Sequence, residues 1–191
     1  MRDGLINGYI TKNYSGAGFT QQQLKVLKDG SLEEFVDAFV HLNSDMYSMQ
    51  LKCILKAMKK MLGEGLSFEQ IVPVNEYKGD FLACQIMDGD EDVFLGIGGQ
   101  VAGLLKVASV YGQEEFQELD ADAYDALCEL INCVNGLFAT ELSSQDIEVI
   151  LRPPVFYNNV NVQGKGFYVA GMSIYGISFD IILSLSGMTC A

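Results

Sequence analysis

The sequence has few basic residues: 12 Lys and Arg stand against 25 Asp and Glu, and the formal net charge is −13. Nucleic acids carry a dense negative charge on their phosphates and bind proteins of the opposite sign. This composition therefore argues against DNA and RNA as partners. An acidic flank suits a soluble protein, or one that meets a basic patch on a partner protein.

Histidine is almost absent. The lone His41 has no Cys or His neighbour at ligand spacing, which argues against a metal site and against a histidine-dependent catalytic triad. Asp88, Asp90 and Asp92 could begin a calcium loop, but the twelfth position is Gly99 where such a loop needs Glu. A hairpin turn is the favoured interpretation there. We expect this chain to bind no metal and no cofactor.

Long apolar runs and CxxC pairs are missing as well. The five cysteines are an odd number, and three of them lie in apolar segments, which is typical of reduced thiols in an intracellular protein. The first 18 residues contain no apolar run that could serve as a signal peptide. No run of about 18 apolar residues occurs anywhere. We expect a soluble, cytoplasmic protein that does not bind membranes.

The length of 191 residues, 49% of them hydrophobic, suits one sizeable core. We predict a main domain at residues 45–191, preceded by a helical N-terminal extension at residues 1–44. In the extension, "TQQQLKVLKDG" and "SLEEFVDAFVHL" each begin with a capping box, so two short helices are expected there. The capping pairs are Thr20 with Gln23 and Ser31 with Glu34.

The main domain alternates between helical and strand patterns. Apolar residues recur at the helical period from Asp45 to Leu62, and Gly63 ends that helix. Three strands should follow, "FEQIVPVNE", "DFLACQIM" and "DVFLGIG", separated by turns at "YKG" and "DGDE". Two helices come next, and then three more strands that include a break at Pro153 and a hairpin at Gly176. This order predicts an α+β fold with long helices packed on a sheet of about six strands.

The second of those two helices, "DADAYDALCELINCVNGLFATELS", carries an unusual polar stripe. At 100° per residue its large apolar side chains gather on one face, which should pack on the sheet. Its polar positions form a row on the opposite face. The apolar set is Leu127, Leu130, Ile131, Val134 and Phe138, and the row is Asp125, Glu129, Asn132 and Gly136.

Two small residues, Cys133 and Gly136, lie beside the projecting Glu129 and Asn132. Glycine in the middle of a helix costs about 1 kcal/mol relative to alanine, so its presence suggests that a partner packs closely here. The alternative is an ordinary solvated helix face. Asn135 lies on the shoulder of the helix and is interpreted as structural.

"DALCELINCVNG" resembles the signature of the CheX and CheC chemotaxis phosphatases, in which a helix carries Glu, two further residues, Asn and then a glycine. "VAGLLKVASVYG" resembles the preceding helix of that family, "IEVILRPPVF" the following strand, and "FYVAGMSIYGISFDIILSL" the closing hairpin. The resemblance covers roughly residues 45–186 and implies a CheC/CheX-like fold. A single copy of the motif is more similar to CheX, because CheC typically carries two.

The resemblance implies an enzyme that hydrolyses the aspartyl phosphate of a phosphorylated CheY-like response regulator. Glu129 and Asn132 would be its catalytic pair, with Asp125, Cys133 and Gly136 in the surface that binds the regulator. It also implies a homodimer, and Mg²⁺ bound by the regulator rather than by this chain. The sequence departs from the family pattern where Leu137 follows the glycine and where Cys128 replaces a smaller residue.

Two alternatives remain open at this point. One is a non-catalytic interaction module of a chemotaxis or flagellar-switch-like assembly, since flagellar switch proteins resemble the same fold. The other makes residues 1–44 the functional part, as a helical adaptor for another protein. Release of inorganic phosphate from a phosphorylated regulator distinguishes the first alternative from a phosphatase, and deletion of residues 1–44 tests the second.

Overall fold

The computed structural model of the protein describes residues 4–16 and 18–190, and all structural statements below concern these residues. Six α-helices lie in this part of the chain: α1 (Gly4–Asn13), α2 (Gln21–Asp29), α3 (Leu32–Phe39), α4 (Asp45–Leu62), α5 (Val101–Gly112) and α6 (Ala121–Ser143). The strands are β1 (Leu66–Gly89), β2 (Val93–Gly99), β3 (Val149–Leu151), β4 (Val155–Ile174), β5 (Ile177–Ser184) and β6 (Thr189–Cys190).

The N-terminal region contains the two predicted helices and one that was not predicted. Both capping boxes form, with the Thr20 side chain accepting from the Gln23 amide and the Ser31 side chain accepting from the Glu34 amide. The additional helix, α1, is rich in Gly and Asn, which are poor helix formers. Tertiary packing supports it, because the Tyr9 ring stacks on Phe68 of β1 at a centroid distance of 4.7 Å. The division of the chain at residue 44 stays a prediction.

The sheet has the strand order β3-β1-β2-β5-β4-β6, and β1 also pairs with β4. All of these pairings are antiparallel. Because β1 pairs with β2 through residues 81–87 and with β4 through residues 66–84, the pairing runs from β1 through β2, β5 and β4 back to β1. The predicted α+β architecture with about six strands is confirmed.

The predicted turn at "YKG" is wrong, because β1 continues unbroken through Tyr77, Lys78 and Gly79, all paired with β4. Gly79 serves a packing role here. A Cβ at Gly79 would lie 2.9 Å from the Tyr77 ring, and one at Gly98 would lie 2.6 Å from the Tyr77 hydroxyl. The glycines make room for a buried ring that the local sequence pattern does not reveal.

Alternation along β1 divides its side chains between the two faces of the sheet. Ala83 and Met87 face the helices and join apolar clusters with α4 and α6, whereas Leu82 and Cys84 belong to a separate cluster on the opposite face. The predicted hairpin at Gly176 also forms, with positive φ at both Tyr175 and Gly176. Gln85 shares the helix-facing side with Ala83 and Met87, which brings a polar group beneath α6.

None of the helices in the described part of the chain combines the length and the apolar character needed to span a bilayer.

Candidate functional site

Helix α6 begins where the sequence pattern predicts. The Asp120 carboxylate accepts a hydrogen bond from the Ala123 amide at 3.1 Å, and Asp122 adds negative charge to the first turn. Both features stabilise the positive end of the helix. The five predicted apolar residues are all buried, namely Leu127, Leu130, Ile131, Val134 and Phe138. This burial determines which face of α6 points outward.

The structure places Glu129 and Asn132 on neighbouring turns of that outer face. Glu129 is exposed and Asn132 is half-buried. In an α-helix, residues three apart have Cβ atoms about 5–6 Å from one another, so one binding partner can contact both. Gly136, one turn beyond Asn132, is half-buried, and an added Cβ there would meet no atom within 4 Å. The surface next to the pair is therefore low.

The remaining predicted residues lie along the same helix. Asp125 is exposed, one turn before Glu129, and Cys133 is half-buried between Glu129 and the neighbouring helix α5. From Asp125 to Gly136 the row extends about 16 Å, at 1.5 Å per residue. The structure thus brings all five predicted residues onto one helix surface. Their roles in binding and catalysis stay predictions.

Glu129 is linked to α5 through Cys133. The Cys133 thiol donates to Glu129 Oε1 at 3.4 Å, and Tyr111 Oη lies 3.5 Å from Cys133 Sγ. Because a carboxylate only accepts, the thiol proton points to Glu129, and the Tyr111 hydroxyl donates to the sulfur. Burial and the contact with Cys133 raise the pKa of Tyr111, so the hydroxyl keeps its proton. Hydrogen bonds to sulfur are weak. The series of hydrogen bonds from Tyr111 through Cys133 therefore orients Glu129, which remains exposed.

The Asn132 side chain is hydrogen-bonded to β1, which lies beneath α6. Its Oδ1 accepts a hydrogen bond of 2.9 Å from Gln85 Nε2, and the same nitrogen donates to the Arg152 carbonyl oxygen at 2.8 Å. Arg152 directly follows β3. Its amide donates to the Ile86 carbonyl, and its side chain pairs with Asp88. Asn132 is thus fixed to the sheet as well as to its own helix.

Asn135 completes this arrangement from the inner side of α6. It is 1% exposed, and its Nδ2 donates to Gln85 Oε1 at 2.9 Å. The structural role predicted for Asn135 therefore has a definite partner. Sequence reasoning missed Gln85, Tyr111 and the Arg152 carbonyl. Only Gln85 left a signal, as a lone carboxamide on the helix-facing side of an otherwise apolar strand segment.

Residues 81–169 match the family model described as "Chemotaxis phosphatase CheX". This stretch contains β2, α5, α6 and β3 entirely, together with parts of β1 and β4. It therefore includes Gln85, Tyr111 and the whole outer face of α6. No curated protein sequence matches the chain.

Several solved structures share the fold at low sequence identity. A CheX–CheY–BeF₃–Mg²⁺ complex from Borrelia burgdorferi matches with a TM-score of 0.62 and 17% identity, over 75% of this chain and 99% of that one. A CheC-like superfamily protein from Shewanella sp. PV-4 has a TM-score of 0.59 and 20% identity, over 75% and 99%. CheX from Vibrio vulnificus has a TM-score of 0.58 and 17% identity, over 73% and 98%.

The structural match includes almost the whole of each of these three structures, but about a quarter of this chain has no counterpart in them. At these identities the structural likeness establishes the fold. The family model falls on the elements that carry the polar row of α6. The resemblance predicted from the sequence is confirmed over residues 81–169, which match the CheX family model, and the fold is that of CheX and CheC-like structures.

Proposed function

We propose that this protein hydrolyses the aspartyl phosphate of a CheY-like response regulator, with Asn132 positioning the attacking water and Glu129 binding a lysine of the regulator. The observation that carries the proposal is the placement of Glu129 and Asn132 on neighbouring turns of one accessible helix face. The match of residues 81–169 to a chemotaxis phosphatase family supports it. The Borrelia burgdorferi CheX, which shares this fold, is in complex with CheY.

The reaction demands little of the enzyme beyond position. An acyl phosphate is already activated, and phosphoryl transfer proceeds through a loose transition state that needs alignment and charge stabilisation. A strong base is unnecessary. The carboxamide of Asn132 is neutral, so it can approach the phosphoryl oxygens and hold a water in line with the breaking bond, as a glutamine does in GTPases.

Glu129 has a different task, because a carboxylate is repelled by a phosphoryl group. A cation on the regulator, such as a lysine beside its phosphorylation site, is the group that Glu129 attracts. The hydrogen bond from Cys133 orients the Glu129 carboxylate, and the carboxylate itself stays exposed to a partner. Magnesium belongs to the regulator in this proposal, and no residue of this chain is assigned to it.

The test is phosphate release from a panel of phosphorylated receiver domains. The wild-type chain should accelerate release from its cognate receiver. Asn132→Ala should reduce kcat by about 100-fold or more, since it removes the group that positions water, while leaving affinity for the regulator intact. Glu129→Ala should lower both kcat and affinity, because an ion pair with the regulator is lost.

Two exposed residues provide matched controls. Glu141 lies on α6 several turns beyond the pair, and Asn158 lies on β4. Glu141→Ala and Asn158→Ala should both retain wild-type activity. Wild-type rates for Asn132→Ala and Glu129→Ala would refute the site assignment. A chain that binds receivers yet releases no phosphate from any of them would favour a non-catalytic interaction module.

A further inference from the structure

The Gln85 side chain is 2% exposed and lies where β1 passes beneath α6. Its carboxamide makes three hydrogen bonds to three different residues, and each is 2.8–2.9 Å long. Burying an amide without partners is costly, whereas a fully bonded amide is tolerated. The Gln85 amide is fully hydrogen-bonded, and one of its partners is Asn132.

The orientation of this network follows from the Arg152 carbonyl, which can only accept a hydrogen bond. The Gln85 atom facing that carbonyl must therefore be the nitrogen Nε2. The same nitrogen faces Asn132, so the Asn132 atom turned inward must be the oxygen Oδ1. It follows that Asn132 directs its NH₂ group away from Gln85, with one Oδ1 lone pair still free.

Asn135 provides the hydrogen bond to the remaining polar atom of Gln85, its Oε1. Its Nδ2 donates to Gln85 Oε1, so both N–H groups and the oxygen of the Gln85 carboxamide are engaged. Rotation of that carboxamide by 180° would set nitrogen against nitrogen at Asn135 and oxygen against oxygen at Arg152. No other side chain of this size donates twice and accepts once in one plane. The site therefore requires glutamine rather than an apolar or acidic residue.

We propose that Gln85 is a positioning residue for the phosphatase reaction: it holds the Asn132 carboxamide with its NH₂ outward, so that Asn132 meets the water or a phosphoryl oxygen as a hydrogen-bond donor. This inference rests on the proposed function. Asn132 then enters the reaction with its orientation already set, and rotation of its terminal amide no longer has to be restrained when the regulator binds.

Gln85→Met tests the proposal, because methionine keeps the length of the side chain and loses all three hydrogen bonds. We expect kcat to fall about 10- to 100-fold, as catalytic groups held loosely by a missing support do, with KM for the phosphorylated receiver within about twofold of wild type. Gln50→Met is the matched control. Gln50 is likewise buried, at 1% exposure, but its Nε2 donates to the Phe94 carbonyl of β2 rather than to Asn132.

A second readout follows the Asn132 side-chain amide directly by ¹⁵N relaxation of its NH₂ group. The wild type and Gln50→Met should show an ordered carboxamide, and Gln85→Met a mobile one. This measurement needs no substrate. It therefore shows whether Gln85 holds the Asn132 carboxamide even if the wild-type chain releases no phosphate from any receiver, an outcome that would refute the proposed function.

If Gln85→Met does not fold, Asn135→Ala replaces it, because that variant removes the donor to Gln85 Oε1 and so loosens the carboxamide that holds Asn132. It should lower kcat relative to wild type without a change in KM, because the Gln85 carboxamide is no longer held in one orientation. Two results would overturn the proposal. One is an Asn132 amide that stays ordered without Gln85 or Asn135. The other is a fall in kcat that Gln50→Met reproduces.

Discussion

Asn132 and Asn135, three residues apart on α6, hydrogen-bond to opposite ends of one carboxamide, that of Gln85. This relationship explains why a mostly buried helix carries two asparagines close together. Asn135 is turned inward and satisfies Gln85, and Asn132 lies at the border of the surface, where Gln85 holds its oxygen. One asparagine is structural and the other is available to a partner.

Gly136 provides a test that separates stability from docking. Gly136→Ala should raise the free energy of unfolding by about 1 kcal/mol, because alanine favours the helix and its Cβ meets no atom within 4 Å. If a regulator packs closely on this face, the same variant should weaken its binding. Urea unfolding and titration with a beryllofluoride-activated receiver measure the two effects.

Gly103 is the contrasting position on α5. A Cβ there would lie 2.1 Å from the Ser178 carbonyl oxygen, so Gly103→Ala should destabilise the protein. Stabilisation by Gly136→Ala with unchanged affinity for the receiver would remove Gly136 from the proposed docking surface.

Asp180 on β5 should make the protein less stable as its carboxyl ionises. Burial raises the pKa of Asp180, although the hydrogen bond from the Tyr77 hydroxyl, 3.1 Å long, lowers it in part. A pKa above the unfolded value means that stability is lost as pH rises from the ordinary aspartate pKa of about 4 through the folded value.

Asp180→Asn removes this ionisation and keeps an oxygen that can accept from Tyr77. The variant should therefore be more stable than wild type at pH 7. Its advantage should shrink as pH falls through the raised pKa of folded Asp180 toward about 4, and it should be absent below that pH. Chemical unfolding at pH 3 and pH 7 gives the comparison. An advantage of equal size at both pH values would show that ionisation of Asp180 is not its cause.

Ionisation of the Tyr9 hydroxyl should make the protein less stable at high pH. Burial, together with the nearby Tyr14, raises the pKa of Tyr9 to about 12, whereas tyrosine in an unfolded chain has a pKa of about 10. The folded state thus retains a proton that the unfolded state releases. Stability from this group is complete below about pH 10 and falls by about 1.4 kcal/mol per pH unit between about pH 10 and 12.

Tyr9→Phe should remove that contribution. At pH 8 the variant should be slightly less stable, because the hydroxyl no longer donates to the Phe39 carbonyl. Between pH 10 and 12 its stability should fall less steeply than that of wild type. Urea unfolding across this range measures both slopes, and parallel curves would contradict the expected proton uptake by Tyr9.

Local signals predicted most of the helices. The capping boxes at Thr20 and Ser31 mark α2 and α3, and the helical period with a terminal glycine marks α4. These features depend on residues three or four apart, which meet on a helix whatever surrounds it. The same reasoning correctly divided α6 into a buried apolar face and an outer polar row.

The strands were predicted less well, because their pairing is not local. The local sequence predicts a turn at residues 77–79, yet all three residues pair with β4. Gly79 leaves room for the Tyr77 ring. Helix α1 was missed for a similar reason. Its residues have low helix propensity, and its apolar side chains become buried only against β1 and the other N-terminal helices.

The sequence by itself determined the helical face of α6 and the spacing of Glu129 and Asn132, because both follow from the 3.6-residue period of a single element. Only the tertiary structure decided what supports them. Gln85 is 47 residues from Asn132 in sequence, and Tyr111 is 22 residues from Cys133. Contacts of that kind depend on how β1 and α5 pack against α6, which no periodicity in the sequence encodes.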